Sequence, residues 1–402
     1  MITQYTIDKV LAAADIVEVV SEYVTLKRQG TNYKGCCPFH NEKTPSFVVS
    51  PVKQIYKCFG CGVAGGPLRF VMEQEKLSFP EAIRHLADKY NIEVEEDAVS
   101  QSPETIELKE AITQVNAFAA KKFREAIKDA PEDVKSYLAQ RLTEEDIIEW
   151  GIGWAPDQRR YLTEAIVNSG KFEAANKCGI IHSSQGSNYD AFRSRIMFPI
   201  EDRAGTVIGF GGRIWPADYK KAAKYINSPE NPAYNKSYVL YGLQLAAKGI
   251  QDAGFAILVE GYMDVIAMHR NGDTNTVGTC GTALTLAQAK LLRRYTEHVI
   301  VMRDGDNAGL KAIEKDIPQL LMAGIRVDVA MLPPGLDPDD YVNAAGSNVP
   351  LPELVDGILW LCRKILQGVM IDDHYQRGKA LDDIIKILYM VPEAARGAYV
   401  KE

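Results

Sequence analysis

Two pairs of metal-binding side chains constrain the N-terminal part of this sequence more than any other feature. Cys37 and His40 form one pair and Cys58 and Cys61 form the other, with two residues between the members of each pair. A tight turn with this spacing presents both side chains to one tetrahedral ion. Because four such ligands leave no position for water, we predict a structural zinc site whose binding energy helps the segment fold. Cys36 is left out, since adjacent side chains of an extended chain point to opposite sides.

The segment around these ligands, residues 34–66, alternates short apolar runs with Pro, Gly and Asn, which predicts short strands and turns. Helical periodicity flanks it at residues 6–24 and 79–90. Basic and aromatic residues are interleaved in this segment. This combination binds single-stranded nucleic acid, because the cations neutralise phosphates and the rings stack on bases. They are Lys34, Lys43, Lys53 and Lys57 with Tyr33, Phe39, Phe47, Tyr56 and Phe59. The alternatives are that the aromatic residues form the core of a small ribbon, and that the cysteines are ordinary core residues beside a chance histidine.

A regular alternation of apolar strands and amphipathic helices occupies the second half of the chain. Strands are predicted at residues 255–259, 275–277, 298–302 and 326–331, with helices at 262–270, 285–295 and 308–322. Such alternation predicts a mostly parallel sheet. Residues 106–176 and the residues beyond Pro352 are predicted to be mostly helical.

Carboxylates follow three of these strands, close to where each strand ends. They are Glu260, Asp304, Asp306, Asp337 and Asp339. Since open α/β sheets gather ligands at the carboxyl ends of their strands, these side chains are predicted to converge. Converging carboxylates repel one another unless hard cations neutralise them, which predicts Mg²⁺ binding and phosphoryl-transfer chemistry, with solvated turns as the alternative. Asp264, in the next helix, is predicted either to support the metal site or to interact with its helix dipole.

A basic segment, residues 192–248, contrasts with the formal net charge of −7 of the whole chain. It contains Arg193, Arg195, Arg203, Arg213, Lys220, Lys221, Lys224, Lys236 and Lys248. Arg193 and Arg195 lie at i and i+2 before a strand-like run, so both are predicted to face one groove. Beside a metal site, such a groove would hold a template backbone or incoming triphosphates; the alternative is a solvated basic face.

The composition indicates a soluble protein with several domains. A length of 402 residues and a hydrophobic content of 46% suffice for roughly two to four cores. No stretch approaches about 18 consecutive apolar residues, and the acidic N-terminus lacks the pattern of a signal peptide. Seven cysteines, an odd number, indicate reduced thiolates rather than a disulfide framework. We therefore expect a cytoplasmic protein.

The motifs of this chain resemble those of the DnaG-type family of bacterial replicative primases over nearly its whole length. The zinc-ribbon motifs are residues 14–20, 37–47 and 58–61, the motifs of the basic polymerase subdomain are 192–200, 209–213 and 225–230, and the TOPRIM motifs are 259–265, 281–285, 304–309 and 337–339. The patterns and the resemblance together imply a multidomain α+β fold with an N-terminal zinc ribbon, a basic mixed α/β subdomain, a TOPRIM-type α/β subdomain with a mostly parallel sheet, and a C-terminal helical segment. The expected boundaries are 1–98 for the zinc ribbon, 99–110 for a linker, 111–250 for the basic subdomain, 251–345 for the TOPRIM subdomain and 346–402 for the helical segment.

The resemblance implies a DNA primase, a DNA-directed RNA polymerase that makes short RNA primers on single-stranded DNA at the replication fork. Its catalytic residues would be Glu260, Asp304 and Asp306, and Mg²⁺ or Mn²⁺ would be held by these together with Asp337 and Asp339. Nucleotide and DNA contacts would come from Arg193, Arg195, Lys224 and Lys236. The expected partners are the template, ribonucleoside triphosphates, single-stranded DNA-binding protein, and the replicative helicase through a C-terminal domain absent from this chain.

Two departures and several alternatives accompany this resemblance. Arg303 directly precedes Asp304, where the family more often has an aromatic residue, which bears on the packing and charge of the metal site. Lys224 lies in an unusual Lys-Lys-Ala-Ala-Lys run, which bears on its alignment. The alternatives are a recombination mediator that binds DNA without catalysis, or another TOPRIM enzyme such as a mobile-element primase, a topoisomerase or a nuclease.

Overall fold

The computed structural model describes residues 2–75, 77, 79–94, 103–184, 186–216, 222–281, 283–346, 348–370, 372–391 and 393–400. The chain divides into two compact units, residues 1–105 and 106–402. Several positions of the predictions above lie outside the described residues: Lys220 and Lys221 of the basic segment, Thr282 of a TOPRIM motif, and residues 99–102 of the expected linker.

The described residues of the first unit form four helices and five short strands. They are α1 (Gln4–Ala13), α2 (Ile16–Ser21), β1 (Lys27–Gln29), β2 (Asn32–Gly35), β3 (Phe47–Ser50), β4 (Ile55–Cys58), β5 (Ala64–Gly65), α3 (Pro67–Glu75) and α4 (Phe79–Lys89). The strands form one antiparallel sheet in chain order. The single helix predicted over residues 6–24 is two helices, because the Asp15 carboxylate accepts hydrogen bonds from the amides of Val17 and Glu18 and starts a new helix there.

Aromatic rings fill the core of the first unit. The rings of Phe47 and Tyr56 stack at 5.1 Å between centroids, and Phe70 meets the Tyr56 ring edge-on at 5.4 Å. All three side chains are fully buried. For Phe47 and Tyr56 the core interpretation is therefore confirmed, and these rings are not available to stack on bases.

The N-terminal part of the second unit is a helical region followed by antiparallel strands. Its elements are α5 (Pro103–Ala126), α6 (Glu132–Ala139), α7 (Glu144–Glu149), β6 (Gly153–Ala155), α8 (Thr163–Asn168), α9 (Phe172–Lys177), β7 (Ile181–Ser184), β8 (Ser187–Asp190), β9 (Arg195–Glu201), β10 (Val207–Ile214) and β11 (Tyr225–Asn227). One antiparallel sheet has the order β11-β10-β9-β6, and β7 pairs with β8. Since α5 begins at Pro103, residues 103–110 of the expected linker are helical; the other domain boundaries stay predictions.

The remainder of the second unit is an α/β fold. Its elements are α10 (Leu243–Ala253), β12 (Ala256–Val259), α11 (Tyr262–Asn271), β13 (Thr276–Gly278), α12 (Leu286–Leu292), β14 (His298–Val301), α13 (Asn307–Met322), β15 (Arg326–Ala330), α14 (Pro338–Ala345), β16 (Leu354–Asp356), α15 (Gly357–Leu366), α16 (His374–Met390) and α17 (Glu393–Tyr399). The sheet order is β13-β12-β14-β15-β16, with the first four strands parallel. This confirms the predicted parallel sheet and places the carboxyl ends of β12, β13, β14 and β15 at one edge.

One strand of this sheet was not predicted. Residues beyond Pro352 were expected to be helical, but β16 pairs antiparallel with β15, with Val355 opposite Val329. A three-residue edge strand is too short to show a detectable alternation of apolar and polar residues in the sequence. Its pairing depends on the partner strand. The helices α15, α16 and α17 that follow agree with the prediction. Within the described parts of the chain, no helix is both long and apolar enough to cross a membrane.

Candidate functional site

The four predicted zinc ligands converge in the first unit. Cys37 Sγ lies 3.8 Å from Cys61 Sγ, and Cys58 Sγ lies 3.8 Å from His40 Nδ1. All four ligand atoms lie within 4.8 Å of one another. A tetrahedral zinc ion with Zn–S bonds of about 2.3 Å requires a separation of about 3.8 Å between sulfurs, so the set fits zinc. The neighbouring Cys36 is exposed and is not part of this group.

Glu42 orients the histidine of this group. Its carboxylate lies 3.2 Å from His40 Nε2 and also accepts hydrogen bonds from the Cys37 amide at 2.7 Å and from Ser46 Oγ at 2.5 Å. Because Nε2 donates to Glu42, Nδ1 is left with a lone pair directed at the sulfurs, as zinc ligation requires. Glu42 was missed by the sequence reasoning, although it lies two residues after the predicted ligand.

The two buried thiols of the zinc site differ in acidity. Burial would raise the pKa of Cys58, but hydrogen bonds from Ser46 and from the Cys61 and Gly60 amides outweigh it and lower the pKa to about 6. Burial raises the pKa of Cys37 to about 12. Cys58 is therefore a thiolate at neutral pH, whereas Cys37 loses its proton when a cation replaces it.

One face of the ribbon sheet carries basic side chains. Cross-strand pairing sets Lys27 opposite Lys34, Lys34 opposite Val48 and Val48 opposite Lys57, so these residues share a face. The Phe59 ring is 70% exposed, with Lys57 Nζ 5.4 Å from its centroid. Of the predicted aromatic residues, Phe59 thus keeps an open ring surface beside a cation, the combination that binds a single strand by stacking and charge.

The predicted acidic residues meet at a cleft of about 300 Å³ in the second unit. Its acidic lining residues are Glu260, Asp264, Asp304, Asp337 and Asp339, and its basic ones are Arg213 and Lys224. Four of the five predicted metal-binding carboxylates are therefore brought together, along with Asp264. The remaining one, Asp306, does not line the cleft; its Oδ1 accepts hydrogen bonds from the amides of Ala308 and Gly309 and caps α13.

Backbone hydrogen bonds fix the loops that carry these acids. The Cys280 amide donates to the Glu260 carbonyl at 2.8 Å. The Gly305 amide donates to the Leu336 carbonyl at 2.8 Å, and the Gly335 amide donates to the Gly305 carbonyl at 3.0 Å. A Cβ on Gly305 would overlap the Pro333 carbonyl oxygen, so only glycine permits this approach. The loop after β14 and the loop before α14 are thereby joined.

The cleft is electrostatically suited to cations. Burial, followed by the charges of Glu260, Asp337 and Asp306, raises the pKa of Asp304 to about 6. Asp304 Oδ1 is buried and has no hydrogen-bond partner in the described parts of the chain. Burial, followed by the charge of Asp337, raises the pKa of Asp264 to about 8, although the Gly261 amide donates to this carboxylate at 2.6 Å. A divalent cation would supply the charge and the oxygen contact that Asp304 lacks.

Asp337 and Asp339 have further roles in the fold. Asp337 Oδ1 accepts from the Asp340 amide at 2.6 Å and caps α14. Asp339 forms an ion pair with Arg141 at 3.1 Å and accepts from Asn343 at 2.6 Å. The ligand atoms of Asp337, Asp339 and Asp340 lie within 4.8 Å of one another. These residues hold one side of the cleft in place as well as contributing charge.

The predicted basic residues occupy different environments. Arg193 and Lys224 are exposed, and Lys224 lines the acidic cleft. The Lys236 carbonyl accepts a hydrogen bond from Gln288, and Lys236 does not line the cleft. Arg195 is buried, and its guanidinium donates to the carbonyl of Gly212 at 2.8 Å.

The prediction that Arg193 and Arg195 face one groove is therefore wrong. Between them Ser194 adopts a positive φ of 48°, and β9 begins only at Arg195. The strand alternation on which the prediction rested does not extend back to Arg193. Arg195 consequently points into the protein, and Arg193 alone is accessible.

Arg213, which was not among the predicted site residues, lines the cleft and is held by Tyr137 and Tyr225. Arg213 Nη1 donates to Tyr137 Oη at 2.5 Å, and the guanidinium lies 4.8 Å from the Tyr137 ring centroid and 5.8 Å from the Tyr225 ring centroid. Arg213 Nε is buried, and no described residue forms a hydrogen bond with it. Arg213 was counted in the basic segment but not selected. Tyr137 lies on α6, far away in sequence, and no local pattern connects it to the acids.

Family models match three consecutive parts of the chain. A CHC2 zinc finger model matches residues 2–102, a model of the N-terminal domain of the DNA primase catalytic core matches 122–247, and a Toprim-like model matches 257–342. A DNA primase from Clostridium acetobutylicum is 38% identical over 407 residues, which cover 100% of this chain and 67% of the relative. The chain belongs to the DNA primase family. It is therefore an enzyme of the DNA-directed RNA polymerase class, rather than a recombination mediator, a topoisomerase or a nuclease.

Other family members share this similarity. A DNA primase from Neisseria meningitidis serogroup A is 41% identical over 86% of this chain, which spans 59% of that relative. The structure of the zinc-binding and RNA polymerase domains of Aquifex aeolicus primase matches with a TM-score of 0.59 and 33% identity, covering 98% of this chain and 94% of that one. A DnaG primase catalytic domain bound to single-stranded DNA matches with a TM-score of 0.64 and 29% identity, covering 74% and 98%. Family and geometry together support a structural zinc ion and a divalent metal in the acidic cleft.

Proposed function

We propose that this chain makes short RNA primers on a single-stranded DNA template by metal-dependent joining of ribonucleotides, at the replication fork in the cytoplasm. The acidic cleft carries this proposal. Carboxylates from three separate loops line it beside Arg213 and Lys224, and one buried Asp304 oxygen has no hydrogen-bond partner among the described residues. Clustered acids next to cationic side chains suit a triphosphate accompanied by divalent cations.

The charged side chains of the cleft would bind either the metal ions or the phosphates of the nucleotide. Glu260 and Asp304 would hold Mg²⁺ or Mn²⁺, with Asp337 and Asp339 completing the negative side of the cleft. Asp306 would contribute through its charge on Asp304 and through the carboxylate oxygen that does not cap α13. The bound cations would lower the pKa of the attacking 3′-hydroxyl and neutralise the negative charge of the departing pyrophosphate. Lys224 and Arg213 would bind the phosphates of the incoming nucleotide.

Template contacts would come from exposed and half-buried cations in both units. Arg193, with Lys236 as a further candidate, would contact the template or the nucleotide in the second unit, and the Lys34 and Lys57 face would contact single-stranded DNA in the first. Arg195 would act indirectly, by holding the backbone that leads to Lys224. The replicative helicase and single-stranded DNA-binding protein stay predicted partners.

Primer synthesis on a defined template tests the proposal. The zinc-loaded protein, single-stranded DNA, four ribonucleotides and Mg²⁺ should give short RNA, and Asp304→Ala should abolish it without lowering the unfolding midpoint measured in the absence of Mg²⁺. Asp252→Ala is the matched control, because Asp252 is an exposed acid on α10 in the same unit. Undiminished synthesis by Asp304→Ala would remove Asp304 from the reaction.

A further inference from the structure

Arg303 immediately precedes Asp304, and its guanidinium is enclosed by the protein. Arg303 is 2% exposed and forms an ion pair with Asp316, which is 1% exposed. Arg303 Nε and Nη2 both donate to Asp316 Oδ2, at 2.8 and 2.7 Å. Its third nitrogen, Nη1, donates to the Val259 carbonyl at 2.7 Å and to Thr279 Oγ1 at 3.1 Å.

These four hydrogen bonds connect four parts of the α/β fold. Val259 is the last residue of β12 and precedes Glu260, whereas Thr279 follows β13. Asp316 lies on α13, the helix that begins after the Asp304 loop. An aromatic side chain at position 303 could fill the same space but could not donate to the Val259 carbonyl and a carboxylate together.

The Arg303–Asp316 pair is also compatible with a cation site beside it. An unpaired buried guanidinium would act as a permanent counter-ion of the acids and oppose binding of Mg²⁺ or Mn²⁺. With Asp316 as its partner the pair has no net charge, so the negative charge of the cleft is retained. The guanidinium of Arg303 nevertheless donates to groups at the carboxyl ends of β12 and β13, beside the acidic residues.

We propose that Arg303 is a positioning residue that joins the ends of β12 and β14, and so holds Glu260 and Asp304 at the separation a divalent cation needs. Asp316 is the anchor that fixes the guanidinium. The proposal rests on the proposed function of the cleft, and it adds a residue that touches neither metal nor substrate. Residues that orient metal ligands in this way typically contribute about 10- to 100-fold to metal affinity.

Removal of the whole pair tests this role without leaving a buried charge. Since apolar residues often replace a buried ion pair with little loss of stability, Arg303→Met with Asp316→Leu should fold. Mn²⁺ binding to the zinc-loaded full chain, followed by electron paramagnetic resonance, should weaken at least about tenfold, with a parallel rise in the Mn²⁺ concentration that half-activates primer synthesis. A folded double variant that binds Mn²⁺ within about twofold of the unchanged protein would overturn the proposal.

A single substitution covers the case in which the double variant fails to fold. Asp316→Asn keeps the shape of the anchor but removes its charge, and Asp328→Asn is the matched control. Asp328 is a buried carboxylate on β15 of the parallel sheet. It is held by His298 at 2.7 Å and by Arg326 at 3.1 Å, and both of these residues begin their strands, at the end away from the acidic cleft. Mn²⁺ binding should weaken in Asp316→Asn and not in Asp328→Asn, and an equal effect of both would overturn the proposal. Absence of Mn²⁺ binding and RNA synthesis in the unchanged protein would instead overturn the proposed function, and this inference with it.

Discussion

Arg195 donates to the carbonyl oxygen of Ala223 from both terminal nitrogens of its guanidinium, over 3.2 Å in each case. Ala223 directly precedes Lys224, which lines the acidic cleft. Burial lowers the pKa of Arg195, and no acidic group of the described residues contributes to this shift. The guanidinium is therefore held by backbone carbonyls and fixes the segment that carries an exposed lysine.

Substitution of Arg195 should lower the stability of the protein, whereas substitution of Arg193 should weaken DNA binding. Arg195→Met should lower the free energy of unfolding by about 2 kcal/mol, because buried carbonyls lose a charged donor. Arg193→Ala should change it by less than about 0.5 kcal/mol, since the side chain is exposed. Arg193→Ala should instead weaken binding of single-stranded DNA and reduce the slope of log affinity against log salt by about 0.7. Urea denaturation and fluorescence anisotropy measure these two effects, and a stability loss in Arg193→Ala would contradict the assignment.

The zinc ligands can be tested by comparing a ligand cysteine with a cysteine outside the ligand group. Cys61→Ser should lose most of the bound zinc and the fold of the ribbon, because the small aromatic core is insufficient without the ion. Cys36→Ser is the control, since Cys36 is exposed and next to the ligand Cys37. Zinc content by atomic spectroscopy and circular dichroism are the measurements. A full zinc content in Cys61→Ser, or a loss in Cys36→Ser, would show that the ligands were wrongly assigned.

Phe59 provides a test of the ribbon face. Phe59→Ala should weaken single-stranded DNA binding by about 1–3 kcal/mol, the range measured when one base-stacking ring is removed. Val52→Ala removes another exposed apolar side chain from the same unit, 85% exposed, and should leave binding unchanged. Anisotropy titrations with the full chain compare the two variants. If both lose affinity equally, the Phe59 ring does not stack on DNA.

The raised pKa of Asp304 predicts how the stability of the metal-free protein depends on pH. The pKa is about 6 in the folded chain and 3.8 for an ordinary aspartate, so the folded state binds more protons between these values. The stability contribution of Asp304 should therefore decrease as pH rises from about 4 to 6 and remain low above that range.

Asp304→Asn should consequently raise the melting temperature of the protein at pH 7.5 when the acidic cleft is metal-free. Saturating Mn²⁺ should stabilise the unchanged protein, by about 2.7 kcal/mol at a hundredfold excess over the dissociation constant, and should fail to stabilise the variant. Differential scanning fluorimetry with and without Mn²⁺ measures both effects. A lower melting temperature of Asp304→Asn at pH 7.5 without Mn²⁺ would contradict the proposed repulsion among the acids.

The features predicted correctly from sequence are those with local causes. The spacing of Cys37, His40, Cys58 and Cys61 follows from the size of a metal ion, and the four ligand atoms do meet. The positions of Glu260 and Asp304 follow from buried strands, because β12 ends directly before Glu260 and β14 ends at Val301, three residues before Asp304. Parallel pairing then determines that these ends share an edge.

The features that were missed depend on distant or irregular structure. Arg141, which pairs with Asp339, lies 198 residues before it in the chain. The left-handed conformation of Ser194 reverses the orientation expected for its neighbours, and nothing in its residue type indicates that conformation. Asp306 satisfies both the helix-cap pattern and the metal-ligand pattern, and only coordinates show that one oxygen caps α13.

The reciprocal hydrogen bonds of Gly305 with Leu336 and Gly335 also restrict how this protein tolerates insertions. Neither the turn at Gly305 nor the turn at Gly335 can lengthen alone, because one added residue would shift its amide out of register with the other turn. Insertions or deletions should therefore be excluded from both segments unless they occur together. Surface loops outside this linked pair, such as the turn at Gly205, carry no such restriction.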